Sequence, residues 1–379
     1  MAPAIECGSN CVDVATDAEN CGACGYACGA GSTCAEGACA PVAIVSGVVA
    51  PYAFALDATN LYFASPVRDL ANALPSAVRK APRAGGGAVT SVFGTGFNFR
   101  SRSLALTGGT LFLGDLDNNG VIRQGATTGG DVTTRLTEQP AVQQIIAADE
   151  RLWWSTTSGD TSRLRRVSTT DTTSLAEELL PGPAFVHFDR VPMLAVEGTG
   201  AAATVFWVNA GGSVNTDKGL WRKVGGAAPA KLVAEGEMVT LALGSGEVFV
   251  ADAVAGIGKI AGDAIAPTTL TPVVVATELG GAIQGLAVAG ETLYWLTFNA
   301  GQLEVHRAGL DGGNARVLGR VVVKSVAYWS QPIGPTQLVV DGGFVYFSDP
   351  GTLTGDTPAV PNLQGVTGTA DGAIYRLPE

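Results

Sequence analysis

Catalytic chemistry has few residues to work with in this chain of 379 residues. There are 2 His, His187 and His306, and 7 Cys, all between Cys7 and Cys39. His187 has Asp189 two residues on and Arg190 after it. An imidazole beside a carboxylate could act as a general base, although His–Asp contacts are also common in plain packing. His306 sits between Val305 and Arg307 at the variable position of a recurring pattern, and reads as structural. The two His fall in different repeats, and a catalytic zinc centre wants three protein ligands, so metal hydrolysis is disfavoured. Asp115-Leu116-Asp117-Asn118-Asn119-Gly120 matches the opening of a calcium loop, with Asp115, Asp117 and Asn119 as candidate ligands. The acid that should close such a loop falls at Ala126. A hairpin turn with Asn119-Gly120 at positive φ is the simpler reading, and no cofactor is expected.

The cysteines read C-x3-C-x9-C-x2-C-x3-C-x5-C-x4-C, through Cys7, Cys11, Cys21, Cys24, Cys28, Cys34 and Cys39. Dense Cys in a short Gly-rich segment implies a disulfide framework and an oxidising compartment. So short a segment cannot bury its own core, so bridges must hold it. Zinc is the competing reading of Cys21 and Cys24, but structural zinc wants two spaced ligand pairs, and the segment has no His. Glu6, Asp13, Asp17, Glu19 and Glu36, with no Lys or Arg, make the segment acidic. The core Cys11-Val12-Asp13 … Asn20-Cys21-Gly22-Ala23-Cys24-Gly25 … Cys28 resembles the Cys-rich modules that precede other domains in exported proteins of some Gram-negative bacteria. Those modules often carry one more Cys upstream. The resemblance therefore implies that the odd count reflects a missing partner; a free thiol is the alternative.

These residues must be positioned by elements, and the elements repeat. Leu61-Tyr62-Phe63-Ala64-Ser65, Leu111-Phe112-Leu113-Gly114-Asp115, Leu152-Trp153-Trp154-Ser155-Thr156, Val205-Phe206-Trp207-Val208-Asn209, Val248-Phe249-Val250-Ala251-Asp252, Leu293-Tyr294-Trp295-Leu296-Thr297 and Val345-Tyr346-Phe347-Ser348-Asp349 share one pattern. Position one is Leu or Val, position two is aromatic, and position five is a short polar side chain. A period near 45 residues is that of four-stranded propeller blades. Each copy follows a short apolar strand and turn, and precedes a third strand reading aliphatic, any, basic: Lys80, Arg123, Arg166, Arg222, Lys259, Arg307 and Arg376. The last repeat ends after its third strand, while residues 42–49 form a strand with no repeat of their own. The expected fold is therefore all-β: a seven-bladed propeller (41–379) closed by an N-terminal strand, behind a small disulfide-rich module (1–40). Closure of this kind removes sheet edges that invite aggregation. No window shows sustained helical periodicity; the best helical candidate is Ser174 to Leu180.

The repeats resemble YWTD-type propeller repeats of the low-density-lipoprotein-receptor kind, with partial matches at Tyr294-Trp295-Leu296-Thr297 and Tyr346-Phe347-Ser348-Asp349. This implies a propeller fold without implying an activity. With strands labelled a (innermost) to d (outermost), the d–a connections and b–c loops share one face, the top. That face gathers Phe97, Phe99, Arg100, Arg102, Phe185, His187, Phe188, Asp189, Arg190, Tyr328, Trp329 and Gln331. Aromatic planes beside Arg, Asp and Gln suit a carbohydrate or a protein or peptide ligand; rings plugging gaps between blades are the competing reading. The share of charged residues is 15% and the net charge is −11, which makes nucleic acid an unsuitable partner. No apolar run reaches the roughly 20 residues that span a bilayer. The start Met-Ala-Pro carries no signal peptide, so the chain reads as a mature or engineered form of an exported, extracytoplasmic protein. The functional expectation is a surface-binding protein. The alternatives are a propeller lyase or hydrolase at the channel mouth, or a structural component of a surface assembly.

Overall fold

The computed structural model describes residues 4–65, 68–69, 77–93, 103–114, 120–139, 142–158, 161–179, 194–209, 218–234, 236–265, 267–324, 337–354 and 367–379. Among them there is no α-helix, and two single-turn 3-10 segments occur at Gly200–Ala202 and Ala276–Glu278. Seven antiparallel sheets, each with four propeller strands, follow one another along the chain. Their innermost strands are Ala53–Leu56, Leu104–Thr107, Val142–Ala148, Leu194–Glu197, Met238–Gly244, Ala282–Ala289 and Val339–Asp341. The seventh blade takes its outermost strand, Val42–Val48, from the other end of the propeller: it pairs with Gly372–Pro378, Ile374 opposite Val45. Both edges that a linear array would leave open are thereby paired.

The repeat pattern becomes packing through the two-residue period of a strand. Position two lies opposite the basic residue of strand c in six blades: Tyr62–Lys80, Trp153–Arg166, Phe206–Arg222, Phe249–Lys259, Tyr294–Arg307 and Tyr346–Arg376. In three of these pairs cation and ring meet across the ladder, with Arg166 5.2 Å from the centre of Trp153, Lys259 5.8 Å from that of Phe249 and Arg307 5.8 Å from that of Tyr294. Blade two departs from the expected register: Gln124 opposes Phe112, and Arg123 opposes Leu113. Position three faces the other way and pairs rings in three blades: Trp207 on Trp221, Trp295 on His306, and Phe347 on Tyr375. Trp153, Trp154 and Trp295 are fully buried, each removing on the order of 150–250 Å² from water. Apolar clusters join neighbouring blades, as where Trp153 meets Leu194, Phe206 and Leu220.

The described part of the helical candidate Ser174 to Leu180, residues 174–179, forms no helix. Ser174 closes a turn on Asp171, and Glu177–Glu178 form the outer strand of blade three. Glu177 pairs with Arg166, its cross-strand neighbour, through Nε at 2.8 Å and Nη2 at 3.0 Å. Tertiary pairing outweighs a two-turn helix, which is marginal alone.

The N-terminal module holds three disulfides, Cys7–Cys24, Cys21–Cys34 and Cys28–Cys39. Cys21 and Cys24 take different partners, so the CxxC pair is committed to bridges. Cys11 is free and exposed. The module lies against the propeller. Its hairpin of Cys34–Ala35 and Ala38–Cys39 extends the sixth blade to six strands, with Cys39 opposite Gly319. Cys21, Tyr26, Cys28 and Cys39 share one apolar cluster with Tyr294, Leu303, Leu318 and Leu377.

Candidate functional site

The strand ends divide the molecule into two unlike faces. On one, most a–b hairpins close with tight turns, that of blade four runs through residues 198–203, and the c–d connections span five to nine residues. Gly108–Gly109, Asp149–Glu150, Ser245–Gly246 and Gly342–Gly343 all have positive φ at both positions, the backbone that matches strand twist in tight hairpins. Asp149 and Glu150 adopt this left-handed region without being glycine. The opposite face receives every d–a connection and every b–c loop. Residues 94–102, 180–193, 210–217, 325–336 and 355–366, which belong to these connections in sequence, lie outside the described residues. The twelve expected ligand-binding residues fall in these stretches: Phe97, Phe99, Arg100, Arg102, Phe185, His187, Phe188, Asp189, Arg190, Tyr328, Trp329 and Gln331. The calcium candidates Asp115, Asp117 and Asn119 lie outside the described residues too, between Thr110–Gly114 and Ile122–Ala126.

Position five of the repeat lies at the loop-bearing end and is buried: Ser65, Thr156, Asn209, Asp252, Thr297 and Asp349. Two of these fasten the loops. Asp252 Oδ1 accepts from Val254 and Ala255 N–H, each at 2.8 Å. Asp349 Oδ1 accepts from Gly351 N–H at 2.9 Å, and its Oδ2 accepts from Lys324 N–H at 3.3 Å. Lys324 is the last residue before the 325–336 connection, so Asp349 ties a b–c loop to a d–a connection. Burial pushes its carboxyl above the usual range, against the opposing pull of these N–H donors.

His306 is 5% exposed. Its ring stacks on Trp295, and Nε2 lies 2.9 Å from Thr297 Oγ1 and 3.4 Å from Glu304 Oε2. The hydrogen bond from His306, with the Arg320 Nε bond at 2.7 Å, holds Glu304 below the usual carboxylate range. A Cβ at Gly280 would meet His306 Cε1 at 2.6 Å, so the ring is enclosed. This is a packing histidine.

The central channel holds a solvent-open cavity of about 320 Å³. The innermost strands of five blades line it, with Ser103, Gln144 and Gln337 among the residues. Each of these three reaches the register-equivalent residue of the next blade. Gln337 Oε1 accepts from Phe54 N–H at 3.0 Å. Ser103 Oγ accepts from Ile145 N–H at 2.7 Å and donates to Ile145 C=O at 3.2 Å. Gln144 Nε2 donates to Leu194 C=O at 3.3 Å. Sequence reasoning passed over these residues. Their signal was a polar residue directly before the apolar run, as in Ser103-Leu104-Ala105-Leu106, Gln144-Ile145-Ile146-Ala147 and Gln337-Leu338-Val339-Val340.

Comparison with known proteins supports both parts of the chain. Residues 2–46 match the model of the stigma-specific STIG1-like protein family. No curated protein matches the chain. The propeller is similar to the WD40 β-propeller domain of Doa1, with TM-score 0.57 and 10% identity over 89% of this chain and 97% of that one. It is also similar to the β-propeller domain of the Trilobed protease from Pyrococcus furiosus, with TM-score 0.52 and 8% identity over 79% and 91% of the two chains. Such identities carry the fold alone. Residues 2–46 thus resemble the STIG1-like family, and they precede a seven-bladed β-propeller with WD40-type structural neighbours.

Proposed function

We propose that this is an exported or cell-surface binding protein that takes a carbohydrate or peptide ligand on the loop-bearing face of its propeller. The observation that carries the reading is the asymmetry of the two faces. One carries a–b and c–d connections of two to nine residues, while the other receives connections of up to twenty-two residues (350–371). Long connections on a rigid scaffold are where binding residues concentrate. The twelve residues named from the sequence lie in three of these connections, and their rings beside Arg, Asp and Gln suit a ligand with apolar faces and polar edges. Three disulfides fit an extracellular setting. The YWTD-like character of the repeats, carried by Tyr294-Trp295-Leu296-Thr297, is part of the same reading.

A glycan and peptide array probed with the full chain and with Trp329→Ala tests it. Selective binding that the variant weakens, with melting unchanged, supports the proposal. A loss of several kcal/mol in stability would mark Trp329 as a packed residue and remove the main support for a binding surface. His187→Ala separates binding from catalysis: loss of turnover by about 10²–10⁴-fold is the mark of a general base, and a modest change in affinity is the mark of a contact.

A further inference from the structure

Two disulfides of the N-terminal module lie side by side. The sulfurs of Cys21, Cys28 and Cys39 are all within 4.8 Å of one another, yet they belong to two bridges, Cys21–Cys34 and Cys28–Cys39. Sulfurs bonded in this way are not thiolates, and the chemistry open to neighbouring bridges is exchange. The fourth sulfur is placed for it as well. Cys34 lies directly opposite Cys39 in the hairpin of Cys34–Ala35 and Ala38–Cys39, and facing residues of such a pair come within about 4.5–5.5 Å at Cβ. The sulfurs of a second pairing, Cys21 with Cys28 and Cys34 with Cys39, are thus already neighbours.

The two pairings hold the module differently. Both present bridges run between segment 21–28 and hairpin 34–39, and Cys39 of that hairpin pairs with Gly319 on blade six. In the second pairing each bridge closes on its own segment, and none joins 21–28 to the hairpin. Segment 21–28 carries Tyr26, whose hydroxyl donates to Pro378 C=O at 3.0 Å. Burial sets the point of entry: Cys21, Cys28 and Cys39 are buried, whereas Cys34 is partly exposed. We propose that these two bridges form a thiol-operated latch, in which exchange frees segment 21–28 from the hairpin that extends blade six. An external low-molecular-weight thiolate attacks Cys34 Sγ, forming a mixed disulfide and expelling Cys21 as thiolate. Arg316 Nη1, 3.3 Å from Cys21 C=O, places a cation beside that leaving residue. Cys21 Sγ attacks Cys28 Sγ and expels the Cys39 thiolate. Cys39 Sγ then attacks Cys34 Sγ and returns the external thiolate. In net, two S–S bonds break and two form, so no oxidant or reductant is consumed.

The full chain with Cys11→Ser, which removes the exposed free thiol, is incubated with a substoichiometric amount of 2-mercaptoethanol and quenched in acid. Its bridges are then mapped by tandem mass spectrometry of unreduced peptides. Cys21–Cys28 and Cys34–Cys39 are expected beside the original pairs. Hydrogen exchange at the Cys21 and Cys28 amides, which donate to Tyr26 C=O and Ala18 C=O, should become faster by about tenfold or more. Original bridges alone, or new bridges with unchanged amide exchange, would overturn the latch. Adding Cys34→Ser dispenses with the external thiol, because it leaves Cys21 as a free thiol beside Cys28–Cys39. N-ethylmaleimide, added with denaturant in acid to stop exchange, should then label Cys28 or Cys39 as well as Cys21. Label confined to Cys21 would also overturn the proposal. The bridge map of the Cys11→Ser chain stands alone if this second variant fails to fold.

Discussion

The guanidinium of Arg316 lies 4.2 Å from the ring centre of Tyr26, joining blade six to the Cys-rich module. Arg316 Nη1 also donates to Cys21 C=O at 3.3 Å, and the Tyr26 hydroxyl donates to Pro378 C=O at 3.0 Å. Burial raises the Tyr26 phenol to about 12, so it stays a donor at any physiological pH. Tyr26→Ala should cost about 3–5 kcal/mol, the usual figure for truncating a buried aromatic. It should lower the main melting transition seen by circular dichroism. A loss confined to a separate minor transition would show that the contact does not couple the two parts.

Reduction should destabilise the propeller although it contains no Cys. From sequence alone, the propeller should be indifferent to reductant. The Cys28–Cys39 bridge, however, lies within the cluster that includes Leu318 and Leu377. Breaking a bridge in so small a module typically costs about 2–5 kcal/mol. Melting with and without reductant, followed by Trp fluorescence, measures this. An unchanged transition would mean that the module contributes nothing to blade six.

Closure predicts a sharp difference between two truncations. Removing residues 1–40 leaves Val42–Val48 on Gly372–Pro378 and should give a folded but less stable propeller. Removing 1–50 deletes that strand, exposes the edge of blade seven and should abolish cooperative unfolding. Equal melting temperatures would contradict the role of the strand in closing the ring.

Asp349 should make stability depend on pH in a direction opposite to most carboxylates. Its folded pKa is raised by burial above the unfolded value, so the folded state binds the proton more tightly. This group therefore adds stability as pH falls through its folded pKa, and its cost is greatest when it is ionised above that point. Asp349→Asn keeps an acceptor for Gly351 N–H and removes the charge. It should flatten this part of the pH profile, while the Lys324 N–H loses its acceptor at a cost of about 1–3 kcal/mol, offset in part at neutral pH by removal of the buried charge. Asp349→Ala leaves two N–H groups unpaired and should cost about 1–3 kcal/mol for each. Urea titrations across the acid range decide between these outcomes, and a profile unchanged in Asp349→Asn would assign the dependence to another group.

Ser103→Ala should cost about 1–3 kcal/mol, because it strips both backbone groups of Ile145 of their partner in a buried setting. A neutral result in denaturant melts would show that water replaces the hydroxyl at no loss.

What the chain determined by itself follows from short-range regularity. Alternation within strands, the aromatic at position two and the recurring basic residue are local, so seven blades and the closing role of residues 42–49 could be read without coordinates. The long connections could be assigned to one face for the same reason. The tertiary structure decided whatever joins residues that no period relates. The seven Cys permit many pairings, and only the fold selects Cys7–Cys24, Cys21–Cys34 and Cys28–Cys39. Arg316 and Cys21 are 295 positions apart. Their contact depends on where the closed ring brings blade six relative to the N-terminus. The link between Ser103 and Ile145 exists only once neighbouring blades set their inner strands side by side. Glu177–Glu178 form a strand because Arg165 and Arg166 lie opposite them, a partnership that outweighs local propensity.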